Sequence, residues 1–216
     1  MKKFGEKDKL QLIYELTEDP FEESKYFSDS WGTFEIYVRN KDLCRGKING
    51  EVKKYEWNLM YVTEWLVDNL EYIIGHDPFP LFQSEKNLND ILETAYDKEW
   101  EDDLEFDLWY GSLNTWIRRH AWRAESGGSL ISDVCFYRRN DKIEIAWSNE
   151  DYKEKRIEYD CKKGSEYIDR KYFIDVMFEF LDNITEDLYQ KDQDNETFKK
   201  IKNNFDLWLK RKENRF

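Results

Sequence analysis

The sequence predicts an α+β fold in which antiparallel β-hairpins pack with about five α-helices in a single domain of 216 residues. Two turn dipeptides, Asn49-Gly50 and Asn140-Asp141, each lie beside segments that alternate between polar and apolar residues, as strands of hairpins do. Longer segments carry apolar residues at helical spacing. Because no Gly-, Pro- or Ser-rich linker divides the chain, we expect one domain, with a mixed α/β portion over residues 1–150 and a helical portion over residues 165–216.

The predicted strands come in two groups. Leu10–Leu16 is a candidate first strand, and residues 33–38 alternate with β-branched and aromatic side chains. Residues 52–57 are predicted to lead away from the Asn49-Gly50 turn as one strand. Residues 133–139 and 142–147 are predicted to pair as a hairpin.

Four helices are predicted from apolar periodicity. The first begins at residue 59, runs for about four turns and ends before Gly75, because Pro78 and Pro80 cannot lie in a helix interior. The second begins near Ser84 and Asn87. The remaining two cover residues 172–188 and 197–212.

A fifth helix is predicted within residues 109–124, with Ser112 as its cap and residues 126–128 as its stop. Its two faces are predicted to differ in polarity. Arg119 and Arg123 lie one turn apart on the polar face. The apolar face carries Leu113, Trp116, Ile117, His120 and Ala124.

Composition restricts the classes of partner. The net charge of −13 disfavours general binding to duplex nucleic acid. It could attract a basic or cationic partner, or it could only confer solubility. The three cysteines, Cys44, Cys135 and Cys161, form no CxxC pair, which indicates a reducing compartment and therefore a cytoplasmic protein. The first residues lack an apolar signal region, and no segment is apolar enough to span a membrane, so we expect no membrane partner.

The sequence offers few groups for catalysis. His76 and His120 are the only histidines, and neither has a metal-ligand neighbour at suitable spacing. The chain has no GxSxG, GxxxxGK or GxGxxG motif. Cys135 paired with His120 is the remaining nucleophile alternative, although a Val-Cys-Phe strand is typical of a buried thiol. We therefore predict a protein that is not an enzyme and has no cofactor and no metal site.

A cluster of arginines interrupts the acidic background. Residues 116–140 hold five arginines against Glu125 and Asp133, a net charge of +3 that leaves −16 for the rest of the chain. These guanidinium groups could hold a phosphate, a carboxylate or an acidic loop of a partner, or they could pair with the protein's own carboxylates. The predicted contact surface consists of Trp109, Trp116, Arg118, Arg119, His120, Trp122, Arg123, Arg138 and Arg139.

A series of short elements along residues 27–150 resembles the amino-terminal module that precedes an ImmA/IrrE-type zinc peptidase in some bacterial regulatory or defence-island proteins. The elements are Phe27-Ser28-Asp29-Ser30-Trp31-Gly32-Thr33-Phe34, Asn40 with Leu43-Cys44, Glu64-Trp65-Leu66 with Asn69, Pro78-Phe79-Pro80, Trp116, Arg119-His120, Arg123-Ala124, Gly127-Gly128, Asp133-Val134, Phe136 with Arg138-Arg139, and Ile143-Glu144-Ile145-Ala146-Trp147. Residues 150–216 contain no histidine and so no peptidase. The resemblance implies a recognition module that signals to a separately encoded effector.

The leading hypothesis is a non-enzymatic recognition or regulatory protein of a bacterial stress or phage-defence system. It would bind a protein effector, and an anionic small ligand is a further candidate. The first alternative is an acidic immunity protein that neutralises a basic toxin or a nucleic-acid enzyme, using the run Glu99, Glu101, Asp102 and Asp103. The second alternative is a small-substrate enzyme that uses His120 with the arginines.

Overall fold

A computed structural model describes residues 1–20, 28–122, 131–150 and 157–215. These residues form the predicted α+β domain, with antiparallel sheets and a helical C-terminal part. The strands are β1 (Lys2–Glu6), β2 (Leu10–Leu16), β3 (Trp31–Val38), β4 (Lys41–Asp42), β5 (Gly46–Ile48), β6 (Glu51–Lys53), β7 (Tyr55–Asn58), β8 (Ala121–Trp122), β9 (Val134–Arg139), β10 (Lys142–Ser148), β11 (Ile157–Tyr159) and β12 (Lys163–Asp169). The helices are α1 (Leu59–Ile74), α2 (Leu88–Tyr96), α3 (Asp103–His120), α4 (Arg170–Lys191) and α5 (Glu196–Arg215).

The strands form three antiparallel sheets. In the first sheet the order is β1-β2-β3-β4, and β7 also pairs with β3. The second sheet has the order β12-β10-β9-β8, and the third has the order β11-β5-β6. Asn49 and Asn140 have φ angles of 52° and 55°, so asparagine supplies the left-handed conformation in both predicted hairpin turns.

Apolar periodicity placed α1, α2, α4 and α5 well. Side-chain caps begin three of these four helices, and at α5 the Asn195 Oδ1 accepts from the Phe198 N–H at 3.3 Å. The Asn87 side chain accepts a hydrogen bond from the backbone N–H of Asp90 at 3.1 Å, which starts α2. The Asp169 side chain accepts one from Tyr172 at 2.8 Å, which starts α4. The predictions for α1, α2, α4 and α5 are confirmed to within a few residues.

The second sheet separates two hydrophobic clusters. Its inner face, with Phe136 and Ile145, joins the main core beneath α1, α4 and α5. Its outer face, with Cys135 and Ala146, packs against α2 and α3 in a smaller cluster. Side chains alternate across the strands, so α2 and α3 lie over one face of this sheet and the main core lies under the other.

Three details of the prediction are wrong. Residues 52–57 do not form one strand, because β6 pairs with β5 whereas β7 pairs with β3 in another sheet.

The other two details concern α3. Ser112 does not cap this helix, because α3 begins at Asp103, nine residues before Ser112. The Ser112 hydroxyl instead donates to the Leu108 carbonyl oxygen at 2.8 Å. The helix ends at His120, because Ala121 is already extended and pairs with Cys135. Arg123, Ala124 and the predicted stop at residues 126–128 lie outside the described residues.

None of the helices in the described ranges combines the length and the apolar character that a membrane span needs.

Candidate functional site

Three members of the predicted contact surface lie in the protein interior. Trp116 and His120 are 0% exposed, and Trp122 is 2% exposed. Trp122 donates its indole N–H to the Ser132 carbonyl oxygen at 2.9 Å. The rings of Trp116 and His120 stack with their centroids 4.0 Å apart. These three rings support the fold beneath the surface, so in this conformation they do not reach a partner.

His120 is held on both sides of its ring. Nδ1 lies 2.8 Å from the carbonyl oxygen of Phe136 in β9, and Nε2 lies 3.1 Å from Oδ2 of Asp77. Arg119 Nη2 also reaches Asp77 Oδ2, at 2.9 Å, while the guanidinium lies over the Tyr72 ring. Burial lowers the pKa of His120, because the charged ring would lose its hydration. The cluster therefore ties the loop after α1 to α3 and to the second sheet.

Arg139 is paired with the protein's own groups. Its Nε lies 3.1 Å from Oε2 of Glu144, whose side chain is fully buried. Its two terminal nitrogens donate to the carbonyl oxygens of Ser84, at 2.9 Å, and Lys86, at 2.6 Å. Glu144 also accepts from the Leu88 N–H at 2.7 Å. A single fork-shaped guanidinium thus fixes the segment that leads into α2.

The other predicted arginines differ in their surroundings. Arg138 Nε donates to the carbonyl oxygen of Asn140 in its own hairpin turn. The Arg118 side chain is exposed, and Arg123 lies outside the described residues. Together with Arg119 and Arg139, these contacts favour internal pairing of the arginines over a shared anion site.

Trp109 lies near the boundary between the exposed N-terminal half and the buried C-terminal half of α3. Its indole N–H donates to the Ala95 carbonyl oxygen at 3.1 Å, and its ring packs against Trp100 at a centroid distance of 5.0 Å. Residues 103–111, here called the α3 arm, are exposed except for this half-buried tryptophan. The buried part of α3 begins at Leu113.

The α3 arm exposes large apolar side chains. Leu104 is 69% exposed and Leu108 is 66% exposed; they lie one turn apart on one face. Phe106 and Tyr110 are 42% and 50% exposed and stack on each other on another face. With Tyr96, these account for five of the nine large hydrophobic side chains that are exposed in the described residues. Such a concentration is characteristic of an interaction site.

Acidic residues surround this apolar surface. Residues 97–107 contain seven carboxylates, and Lys98 is their only basic residue. The Lys98 ammonium lies 3.8 Å from the centroid of the Trp100 ring and 4.1 Å from that of Trp109. Asp102 caps the helix, with its Oδ1 accepting from the Glu105 N–H at 2.9 Å. Because carboxylates in the first turn stabilise a helix N-terminus, the charge also holds the arm in shape.

The predicted contact surface began at Trp109 and left out most of the arm. Apolar residues at positions 104, 106 and 108 alternate with carboxylates and give no single buried helical face. The available signal was the Asp102–Glu105 spacing, which is typical of a helix start followed by an acidic first turn.

No protein-family model, curated protein or solved structure matches this chain significantly. The likeness to the module that precedes ImmA/IrrE-type peptidases therefore stays a prediction. Within residues 1–20, 28–122, 131–150 and 157–215, no three His, Cys, Asp or Glu side chains are grouped as ligands of a metal ion.

Proposed function

We propose that this chain is a non-enzymatic recognition protein that binds a basic partner protein through the α3 arm. The observation that carries this proposal is the exposure of Leu104, Phe106, Leu108 and Tyr110 on a helix rimmed by carboxylates. Apolar side chains supply affinity when a partner covers them, and the surrounding charge selects a partner of opposite sign.

The energetics of the arm fit a contact surface. Fully burying a leucine side chain contributes about 1.5 to 3 kcal/mol of favourable free energy. Leu104 and Leu108 are each about two thirds exposed, so about two thirds of this free energy becomes available when a partner covers them. The cap at Asp102 and the anchor at Trp109 keep the helix formed without the partner. A preformed surface loses less conformational entropy on binding.

Two biological settings use such a surface. A regulatory protein of a bacterial stress or phage-defence system would present the arm to its effector. An immunity protein would cover the basic surface of a toxin or a nucleic-acid enzyme with the same arm. The seven carboxylates near the arm support the second setting in particular, because the active surfaces of nucleic-acid enzymes are positively charged.

The test compares three forms of the full chain as bait in a lysate of the source organism. The variant Leu104→Gln/Leu108→Gln removes apolar surface but keeps good helix formers. The control Leu207→Gln changes a leucine on α5 that is 54% exposed. We expect the wild type and the control to retain the same basic protein, and the double variant to lose it while its free energy of unfolding changes by less than about 0.5 kcal/mol.

Equal retention by all three forms would overturn the proposal, and so would the absence of any protein above background. An assay of the captured protein then separates the two settings. Inhibition of its toxic or nuclease activity by the wild-type chain identifies an immunity protein, and unchanged or increased activity identifies a regulator.

A further inference from the structure

A cavity of about 560 Å³ lies between α2, the end of α3 and the outer face of the second sheet. Its volume is in the range of small-molecule sites. Apolar and small side chains from two helices and three strands form much of its lining, namely Leu92, Ile117, Ala121, Cys135 and Ala146. None of residues 103–111 is among the described lining residues, so the cavity is separate from the α3 arm.

The charged part of the lining is mostly acidic. Lys163 is the basic residue among the described lining residues, and its ammonium is ion-paired with the carboxylate of Glu93. Glu150, which also lines the cavity, and the nearby Asp90 raise the pKa of Lys163 further, after the larger effect of the Glu93 hydrogen bond. Among the described lining residues, one ammonium therefore stands against the three carboxylates of Glu93, Asp133 and Glu150, which leaves an excess of negative charge.

Tyr96 adds an aromatic wall. It lines the cavity and is 49% exposed, so part of its ring faces solvent. A cation that approaches an aromatic face gains a favourable interaction with the ring electrons. The apolar lining, the excess of carboxylates and this ring are complementary to one class of ligand.

We infer that this cavity binds a small molecule in which an apolar body carries an ammonium group. The body would fill the space over Ile117 and Ala146, and the ammonium would interact with the carboxylate of Glu150. An anionic ligand is disfavoured, because among the described lining residues it would face carboxylates and meet no guanidinium. This assignment differs from the anionic small ligand that the arginine cluster suggested, since Arg119 and Arg139 are committed to Asp77 and Glu144.

The test uses three probes that share a phenylethyl group: 2-phenylethylamine, 2-phenylethanol and 3-phenylpropionate. The first is a cation, the second is neutral and the third is an anion at neutral pH. Binding is followed by amide chemical shifts in NMR titrations of the full chain. Alkylation of Cys135, which lines the cavity, by iodoacetamide is a second readout, with Cys161 outside the lining as the internal reference.

We expect the amine to bind with an affinity on the order of 1 mM, as suits a ligand of this size, and roughly tenfold more tightly than the anion. It should shift the amide signals around Cys135 and Ala146 and slow alkylation of Cys135, while Cys161 reacts as before. The alcohol should fall between the other two.

Two variants locate the site. Glu150→Gln should weaken amine binding by roughly threefold to tenfold, whereas Glu158→Gln, an exposed change on β11 outside the cavity, should have no effect. Ala121→Leu adds volume at a half-buried lining position and should abolish binding of the amine and the alcohol. Circular dichroism establishes that each variant is folded.

Equal affinity for the three probes would overturn the inference, as would shifts that persist in a folded Ala121→Leu variant or the absence of binding by the amine. None of these results depends on the α3 arm. Ala121→Leu should still retain the basic partner protein, so failure of the cavity assignment and failure of the proposed function are distinguishable.

Discussion

Nε2 of His120 lies 3.1 Å from Oδ2 of Asp77, while Nδ1 of the same ring lies 2.8 Å from the carbonyl oxygen of Phe136. Both neighbours accept hydrogen bonds, whereas a neutral imidazole carries only one N–H. A doubly protonated ring would satisfy both acceptors. Burial nevertheless lowers the pKa of His120, because the lost hydration outweighs the gain from Phe136 and Asp77. At neutral pH the ring is therefore uncharged.

This buried histidine should make stability depend on pH. Below about pH 6.5, the ordinary pKa of histidine, the unfolded chain takes up a proton that folded His120 resists. The free energy of unfolding should therefore fall with decreasing pH, by at most about 1.4 kcal/mol per pH unit, until the lowered pKa of the folded state is passed. Urea unfolding between pH 5 and 7.5 measures this slope.

The chain contains its own control for the pH experiment. His76 is exposed, so His76→Gln should keep the slope of the wild type. In His120→Gln the contribution of the buried ring should disappear. An unchanged slope in His120→Gln would contradict this account.

The pair of Arg139 and Glu144 should be important for stability. Arg139→Ala leaves the fully buried Glu144 carboxylate without its cation, and breaking such a pair costs about 3 to 5 kcal/mol. Arg139→Lys should not restore stability, because an ammonium cannot reproduce the fork that reaches Glu144, Ser84 and Lys86. Chemical unfolding tests both variants. As a control, Arg118→Ala removes an exposed arginine and should change the free energy of unfolding by less than about 0.5 kcal/mol. If Arg139→Ala and Arg118→Ala were equally stable, the ion pair of Arg139 with Glu144 would not be important for stability.

Local pattern was sufficient for much of the fold. Apolar spacing identified four helices, and Asn140 identified the β9–β10 hairpin, because these signals depend on neighbouring residues alone. Strand β12 was not predicted, since in its Lys163–Asp169 sequence only Ile168 is buried and no alternation appears. The split between β6 and β7 was missed because it depends on β3, a partner more than fifteen residues away along the chain.

The candidate site was harder to predict for a related reason. The sequence showed the arginines but not their acceptors, and Asp77 and the Ser84 carbonyl come from a distant loop. The α3 arm gave no amphipathic signal, because no described part of the chain covers Leu104 or Leu108. The apolar stripe at helical spacing arises where a helix packs against the core of its own chain, and an exposed helix need not have it.

Charge near the α3 arm should control partner binding. Glu99→Lys/Glu101→Lys reverses two exposed charges beside the arm and should weaken binding of the basic partner by roughly tenfold, with a smaller dependence on salt. Asp102 is left unchanged because it caps the helix. The matched control Glu51→Lys/Glu158→Lys makes the same change in net charge on the third sheet and should bind more nearly as the wild type does. Titration calorimetry at two salt concentrations measures the difference; equal losses in both variants would point to net charge rather than to the arm.

Replacing Gly111 in the α3 arm should change the stability of the protein and its partner binding in opposite directions. It lies within α3, and an added Cβ would have no atom within 4 Å. Glycine inside a helix costs about 0.5 to 1 kcal/mol relative to alanine, so Gly111→Ala should raise the free energy of unfolding by that amount. The control Gly50→Ala also meets open space, but its φ of 85° strains alanine, so it should lower stability.

Helical spacing places Gly111 on the same face as Leu104 and Leu108. A partner that packs against these leucines approaches the backbone at Gly111, where an extra methyl group would hold it away. We therefore expect Gly111→Ala to make the protein more stable and to weaken partner binding by roughly tenfold, the cost of a small overpacking. Thermal unfolding and titration calorimetry measure the two effects separately. A variant that is stabilised and binds with unchanged affinity would place the contact on the face of Phe106 and Tyr110 instead, because those rings point away from Gly111.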